Sequence, residues 1–281
     1  MDVSWQCALT LTPDQRLDVL NLMNRTEAQL GREAIDEGRR RTVVHGWPGE
    51  HWLSYRAGAL EGYALLGSTE RATIEMCGGG FDQQLLDDVL VDHAEVDWWI
   101  RDMFVVPSGT VIRTLQFLCV ELPVPVSEVP EGFTLRNFEP QHDEDAWLEQ
   151  NNAAFANHPE QGAWRREDLA ERTQEPWFDP SGFLLLETDG RIAASCSTKV
   201  HELHPDRFGE IYVISVHPDF QGHHLGRVMV TQGLAALRKK GVSAAALFVD
   251  ESNTGARNLY ESLGFRVERE DHLMRFAQAT N

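Results

Sequence analysis

Residues 213–229, VISVHPDFQGHHLGRVM, read as a strand, a tight turn and the start of a helix. The β-branched run up to Val216 favours a strand, and Pro218 stops it. Turns of this kind grip a pyrophosphate when several backbone N–H groups converge at a helix N-terminus and no side chain crowds the approach. Gln221-Gly222-His223-His224-Leu225-Gly226 occupies that place, with a histidine where such turns usually carry glycine. Histidine keeps its backbone N–H, and Gly222 and Gly226 leave freedom on either side. With a right-handed backbone at His224 the side chain costs little, and its imidazole offers a further donor to phosphate. The loop is expected to hold a diphosphate.

Outward from this stretch, the second half alternates helices and strands. NFEPQHDEDAWLEQNNAAFA and REDLAERTQ read as helices, and GFLLLETDGRIAASCSTKVH as two strands across the Asp189-Gly190 turn. GEIYVISVHP is a third strand. A helix from about Leu225 to Lys240, the strand AAALFVD, a helix from about Asn253 to Leu263 and a last strand, FRVEREDHLMRF, complete the half. The sum is an α/β protein with a mixed sheet (α+β) flanked by helices. The first half repeats the rhythm more faintly. Thr12-Pro13-Asp14-Gln15 is a capping box opening a helix to about Arg25. Strands run across Ala57-Gly58 and through RATIEMC, a helix through FDQQLLDDVLVDHA, and TLQFLCVEL closes the half as DHLMRFA closes the second. Pro123, Pro125 and Pro130 mark a linker. The expected organisation is a degenerate copy at 1–122, a Pro-rich linker at 123–131 and a catalytic copy at 132–281.

Among the 281 residues, 44 are acidic and 25 basic, a net charge of −19. Such a chain repels a nucleic-acid backbone and an anionic membrane surface, and draws in a protonated amine. An anionic ligand must be held by local backbone dipoles. No run of about 18 apolar residues offers a membrane span, and MDVSWQCALTLTPDQ lacks the pattern of a secretory signal. Cys7, Cys77, Cys119 and Cys196 are scattered without paired spacing, which reads as free thiols of a cytoplasmic protein. A monomer with a small-molecule substrate, and neither nucleic acid nor membrane as partner, is expected.

Strand, Q-x-x-G-x-G turn, helix, strand and N-x-x-A-x-x-L-Y-x-x-L-G-F (Asn253 to Phe265) match the order of the GNAT acetyltransferases, and the chain resembles that family. NNAAFANHPEQGAW, EPWFDPSG, TKVH and GEIYVISVHP narrow the resemblance to the second half of the mycothiol synthases, which are built of two GNAT repeats. The match runs from about Asn151 to Phe276; over the first half it is one of architecture and a few residues. The resemblance implies acetyl transfer from acetyl-CoA, as cosubstrate and without a metal, to the cysteinyl amine of Cys-GlcN-inositol, the last step of mycothiol biosynthesis.

Acyl transfer to an amine needs a neutral amine, a polarised thioester carbonyl and a proton for the leaving thiolate. By the resemblance, Glu210 is the base, acting through water, and Tyr260 the acid. The backbone of Ile214, Ser215 and Val216 polarises the carbonyl and pairs with the pantetheine arm. The diphosphate falls to Gln221, Gly222, His223, His224, Leu225, Gly226 and Arg227. Asn253, Thr254, Gly255, Ala256, Arg257 and Asn258 complete the acyl-CoA site. Glu175, Lys199, Glu210 and, in the first half, Glu33 bind the acceptor. Phe248 stands where the family usually has a tyrosine touching the acceptor.

Three motifs are set aside. HELH (His201, Glu202, His204) imitates a metal site but is not HExxH on a helix, and Pro205 comes directly after it. Gly78-Gly79-Gly80 resembles a worn phosphate turn, but carboxylates at Asp82, Asp87 and Asp88 would repel a diphosphate, and no basic residue lies between Arg71 and Arg101. Trp98-Trp99 reads as core rather than a stacking platform. Two other readings stay open: a GNAT enzyme with another amine acceptor, such as an aminoglycoside or a peptide N-terminus, and a catalytically silent acyl-CoA-binding module.

Overall fold

The computed structural model describes residues 4–30, 32–68, 71–78, 81–101, 108–156, 163–202 and 207–278. The elements run β1 (Trp5–Ala8), α1 (Pro13–Leu30), α2 (Glu37–His45), β2 (Glu50–Arg56), β3 (Ala59–Ser68), β4 (Ala72–Cys77), α3 (Gln83–Val89), β5 (Glu95–Arg101) and β6 (Thr110–Glu121). After these come β7 (Thr134–Asn137), α4 (Glu144–Ala154), α5 (Arg166–Thr173), β8 (Phe183–Thr188), β9 (Arg191–His201), β10 (Phe208–Val216), α6 (Leu225–Lys239), β11 (Ala244–Asp250), α7 (Thr254–Ser262) and β12 (Arg266–Ala277). They form two compact units that interleave along the chain. The first holds residues to Gln116, Asp250–Ser252 and the chain from Arg269 on; the second holds Phe117–Val249 and Asn253–Glu268.

In the second unit β7, β8, β9 and β10 form an antiparallel meander and β11 adds parallel to β10. The β8–β9 turn has positive φ at both Asp189 (49°) and Gly190 (74°), as a two-residue hairpin loop requires. One sheet face is covered by α6, whose stripe of Leu225, Met229, Val230, Leu234 and Leu237 packs on Cys196, Ile211, Ala245 and Leu247. Burying each such leucine contributes about 1.5–3 kcal/mol. Gly233 permits this approach, since a Cβ there would lie 2.6 Å from Cys196 Sγ. On the other face α4 and α5 set Trp147, Leu148 and Leu169 against Phe183, Leu185, Ile192 and Val213.

The Pro-rich stretch is packed into this unit rather than free. Leu122 N–H donates to the Ser243 carbonyl at 2.8 Å, Ser127 N–H to Thr231 Oγ1 at 3.0 Å, and Gln232 Nε2 to the Ser127 carbonyl at 3.1 Å. Without proline N–H groups the segment cannot join a sheet ladder, so polar side chains of α6 take up its remaining groups.

The first unit has the same order of pairings: β1 to β4 antiparallel, then β5 parallel to β4. Its capping box forms, with Thr12 N–H donating to Gln15 Oε1 at 2.9 Å and Gln15 N–H to Thr12 Oγ1 at 3.2 Å. α1 continues past Arg25 to Leu30. α1 and α2 bury Val19, Met23 and Val43 against Leu53, Tyr63 and Leu65. α3 buries Leu85, Leu86 and Val89 against Ile74 and Trp98. Trp98 is core as expected, whereas Trp99 is half-buried, with the Arg113 guanidinium 5.6 Å from its ring centre.

The closing strands are exchanged relative to the sequence expectation. β12 pairs with β5, from Asp271 opposite Arg101 to Ala277 opposite Glu95. Met274 and Phe276 enter the first unit's core, and Arg275 grips Asp97 at 2.7 and 2.9 Å. From β6, Leu118 and Val120 instead join the second unit's core with Leu247 and Phe265. Each apolar face is thus completed by a strand encoded at the far end of the other half.

A charge cluster around the buried Glu75 ties the α1–α2 connection to β4 and β5. Glu75 accepts from Arg39 at 2.6 Å, from Arg101 at 2.9 Å and from Asp36 N–H at 2.8 Å. Arg101 also donates to the carbonyls of Glu33 and Ala34, at 3.0 and 3.2 Å. Burial, with the Asp36 charge beside it, pushes the Glu75 carboxyl up to about 7 against the pull of both guanidiniums. Removing one member of such a cluster strands the others. Glu75→Leu is expected to lower the unfolding free energy by about 3–5 kcal/mol, read from equilibrium denaturant melts beside the wild type.

Candidate active site

The site starts from an irregularity in β10. The register against β9 shifts between Ile211 and Val213, so Tyr212 is an extra residue. A bulge bends its strand, and β10 stays paired with β11 only at Gly209 and Glu210. Beyond them it remains on β9 as far as Val216 opposite Ala194. His217 N–H donates to the Ala193 carbonyl at 2.9 Å. By the alternation of an antiparallel ladder, the backbone groups of Ser215 then face β9 and those of Ile214 and Val216 turn into the gap left by β11. The Ser215 side chain is buried on the opposite face, in a closed network with Gln150 and Ser195 at 2.9–3.1 Å. Trp147 Nε1 donates into it at 3.0 Å.

After β10, a single 3-10 turn at Pro218–Phe220 leads to α6. Gly222 takes φ 82° and His224 φ 58°, so both are left-handed. The right-handed backbone on which a low-cost His224 depended is not what the loop adopts, because two reversals within three residues are needed to swing the chain into the helix axis. The result is a run of five N–H groups, Gly222 to Gly226, that donate to no group among the described residues. His224 supplies no side-chain cap to α6. Converging free donors at the positive end of a fifteen-residue helix make a site for an anion. From the other side, Arg227 reaches Ser262 Oγ on α7 at 3.3 Å. Asn253 caps α7, accepting from Ala256 N–H at 3.2 Å, and Thr254, Gly255 and Asn258 are exposed on its first turns.

Glu210 lies just before the bulge, opposite Lys199 on β9 and on the face away from α6. It is only 8% exposed, and its Oε2 lies 2.6 Å from His201 Nε2. Lys199 is buried too, its Nζ 5.0 Å from the Trp177 ring centre and 5.6 Å from that of Tyr212. Glu175 is half-buried in the turn before Trp177, where its carbonyl accepts from Phe178 N–H at 2.9 Å. Next to these groups a small aromatic cavity of about 20 Å³ is lined by Trp147, Trp164, Trp177, Phe178 and Tyr212. Phe248 on β11 is 39% exposed, its ring 4.9 Å from that of Phe117. Tyr260 on α7 is buried beside Phe265, and its hydroxyl has no hydrogen-bond partner among the described residues. Burial pushes its phenol above the usual range, so it keeps its proton throughout the physiological range.

Glu33 belongs to the first unit, in the α1–α2 connection held by Arg101. In that unit the start of α3 is occupied by its own chain: Asp82 accepts from Gln84 and Leu85 N–H at 2.9 and 3.1 Å. Gly78 is left-handed (φ 76°), while Gly79 and Gly80 lie outside the described residues, as does His204 of HELH. Among the described residues no group of three His, Cys, Asp or Glu side chains is arranged to hold a metal, and no helix is long and apolar enough to cross a membrane. Sequence reasoning missed His201 as a partner of Glu210, and with it Gln150 and the aromatic wall; HELH was weighed only as a metal site and set aside. A side chain in the left-handed region costs about 1 kcal/mol against glycine. His224→Gly should therefore stabilise the protein by about 0.5–1 kcal/mol in denaturant melts, without weakening CoA binding in calorimetry.

The Acetyltransferase (GNAT) family model matches residues 144–265. In fold the chain is similar to a GCN5-related N-acetyltransferase from Sphaerobacter thermophilus, with TM-score 0.67 and 22% identity over 97% of this chain and 95% of that one. It is also similar to a tandem GNAT protein from the clavulanic acid biosynthesis pathway, with TM-score 0.66 and 14% identity over 100% of both chains. At such identities the likeness speaks for the fold alone. A mycothiol acetyltransferase of Thermomonospora curvata is 56% identical over 51% of this chain and 47% of its own length, so the chain spans about half of that relative. The mycothiol acetyltransferase of Streptomyces griseus subsp. griseus is 37% identical over 93% of this chain and 92% of its own. With 37% identity to that relative over 93% of its length, the chain belongs to the mycothiol acetyltransferase family.

Proposed function

We propose that the chain moves acetyl from acetyl-CoA to the cysteinyl amine of Cys-GlcN-inositol, completing mycothiol. The observation that carries this is the pairing of an anion cradle at Gly222–Gly226 with a strand whose backbone turns free at Ile214 and Val216. Together they offer a diphosphate site and a line of hydrogen-bonding groups for the pantetheine arm. Family membership supplies the choice of acceptor, and the net charge of −19 favours a cationic one.

In this reading Glu210 takes the proton of the acceptor ammonium, directly or through a water molecule, so that the amine can attack. Val216 N–H stabilises charge developing on the thioester oxygen. Tyr260 gives a hydrogen bond, then its proton, to the departing thiolate, and regains one from solvent. Glu175 and Lys199 hold the ammonium and the sugar hydroxyls. The second unit is the catalytic copy. We read the first as degenerate, since Asp82 takes up the Gln84 and Leu85 N–H groups at the start of its seven-residue helix and sets a carboxylate where a diphosphate would lie. Four free cysteines suit a reducing cytoplasm.

The test is an assay of the purified chain with acetyl-CoA and the cysteinyl sugar beside aminoglycosides and peptide N-termini. Preference for another amine would replace the acceptor, and no turnover with any would leave a binding module. Tyr260→Phe should lower kcat by about tenfold or more while the CoA dissociation constant stays within about twofold. Calorimetric titration should give one CoA per chain; two comparable sites would show the first unit to be a working copy.

A further inference from the structure

His201 takes no part in the chemistry assigned so far, yet it hydrogen-bonds the proposed base, with Nε2 2.6 Å from Glu210 Oε2. Its ring is held flat on Phe208, with centroids 4.4 Å apart and planes 9° from parallel. Phe208 is its direct cross-strand partner on β10. Ring orientation is thus fixed by stacking, and the His201–Glu210 pair sits at the edge of the core, with side chains 19% and 10% exposed.

We infer that His201 is the positioning residue of the base, an inference that rests on Glu210 acting as base. A glutamate's terminal torsion is broad, so an unheld carboxylate samples many planes. An Nε2–H donated to Oε2 fixes the plane and leaves Oε1 to face the incoming amine or its water. A base oriented by a third group is the arrangement that lets a proton move in one defined direction.

Two variants of the full chain test this. His201→Phe keeps the stacking surface and removes the donor; His201→Gln restores an amide N–H near the position of Nε2. The Phe variant should lose about ten- to a hundredfold in kcat with the KM for acetyl-CoA unchanged, and the Gln variant should recover most of that loss. A Phe variant at wild-type rate, or a Gln variant as slow as Phe, would overturn the inference. A second measurement needs no activity. In the free wild-type protein a hydrogen-bonded imidazole N–H of His201 should be resolved downfield by NMR and vanish in Glu210→Ala; its absence from the wild type would also overturn it. If the wild type acetylates no cysteinyl sugar, the acceptor assignment falls, while the presence or absence of that proton still decides the pair.

Discussion

The departure of β10 from β11 after Glu210 is the constraint on which the rest of the second unit depends. A sheet with every backbone group paired has nothing to offer a ligand's amides. One extra residue at Tyr212 bends the strand, frees the backbone of Ile214 and Val216, and turns Tyr212 and Val213 toward the same covering helices. The buried Gln150, Ser195 and Ser215 network then fastens the bent strand to α4 from behind. Glu210, the last residue still paired on both sides, sits on rigid backbone beside the opening. Rigidity below the bulge and free donors above it are what a site for acyl transfer requires.

The first unit has the same pairings without that use of them. Its parallel strand β5 also pairs with β4 over only two residues, Thr73 and Ile74 opposite Asp97 and Trp98. Past β4, however, the chain enters a short helix already closed by Asp82. Its polar effort goes instead into Asp36, Arg39, Glu75 and Arg101, two acids and two bases gathered round the buried Glu75, which anchor the Glu33 segment. Such a set adds little net stability over an apolar core but tolerates few alternative arrangements.

Local signals survived the passage from sequence to structure because local physics decides them. Thr12 and Gln15 satisfy each other within one turn, and Ala57-Gly58 and Asp189-Gly190 take positive φ where a two-residue loop demands it. The handedness of His224 was not legible, since it depends on the direction in which α6 must leave the sheet rather than on the residue itself. Nor was the exchange of closing strands: TLQFLCVEL and DHLMRFA both alternate, and only the full cores tell which apolar face each completes. Glu210 could be named by family pattern, but His201 could not, because its bond to Glu210 spans two strands and a register that no local window contains.

The exchange also sets an order of events during synthesis. β5 has its antiparallel neighbour only once Asp271–Ala277 has been made. Until then it stands as an open edge, with Trp98 and Val96 short of Met274 and Phe276. The second unit needs β6, which the ribosome has already delivered before β7 begins. The nascent chain can therefore close its second sheet while the first still waits, and an exposed parallel strand is the form in which such chains associate wrongly. Although it is encoded first, the first unit is completed last.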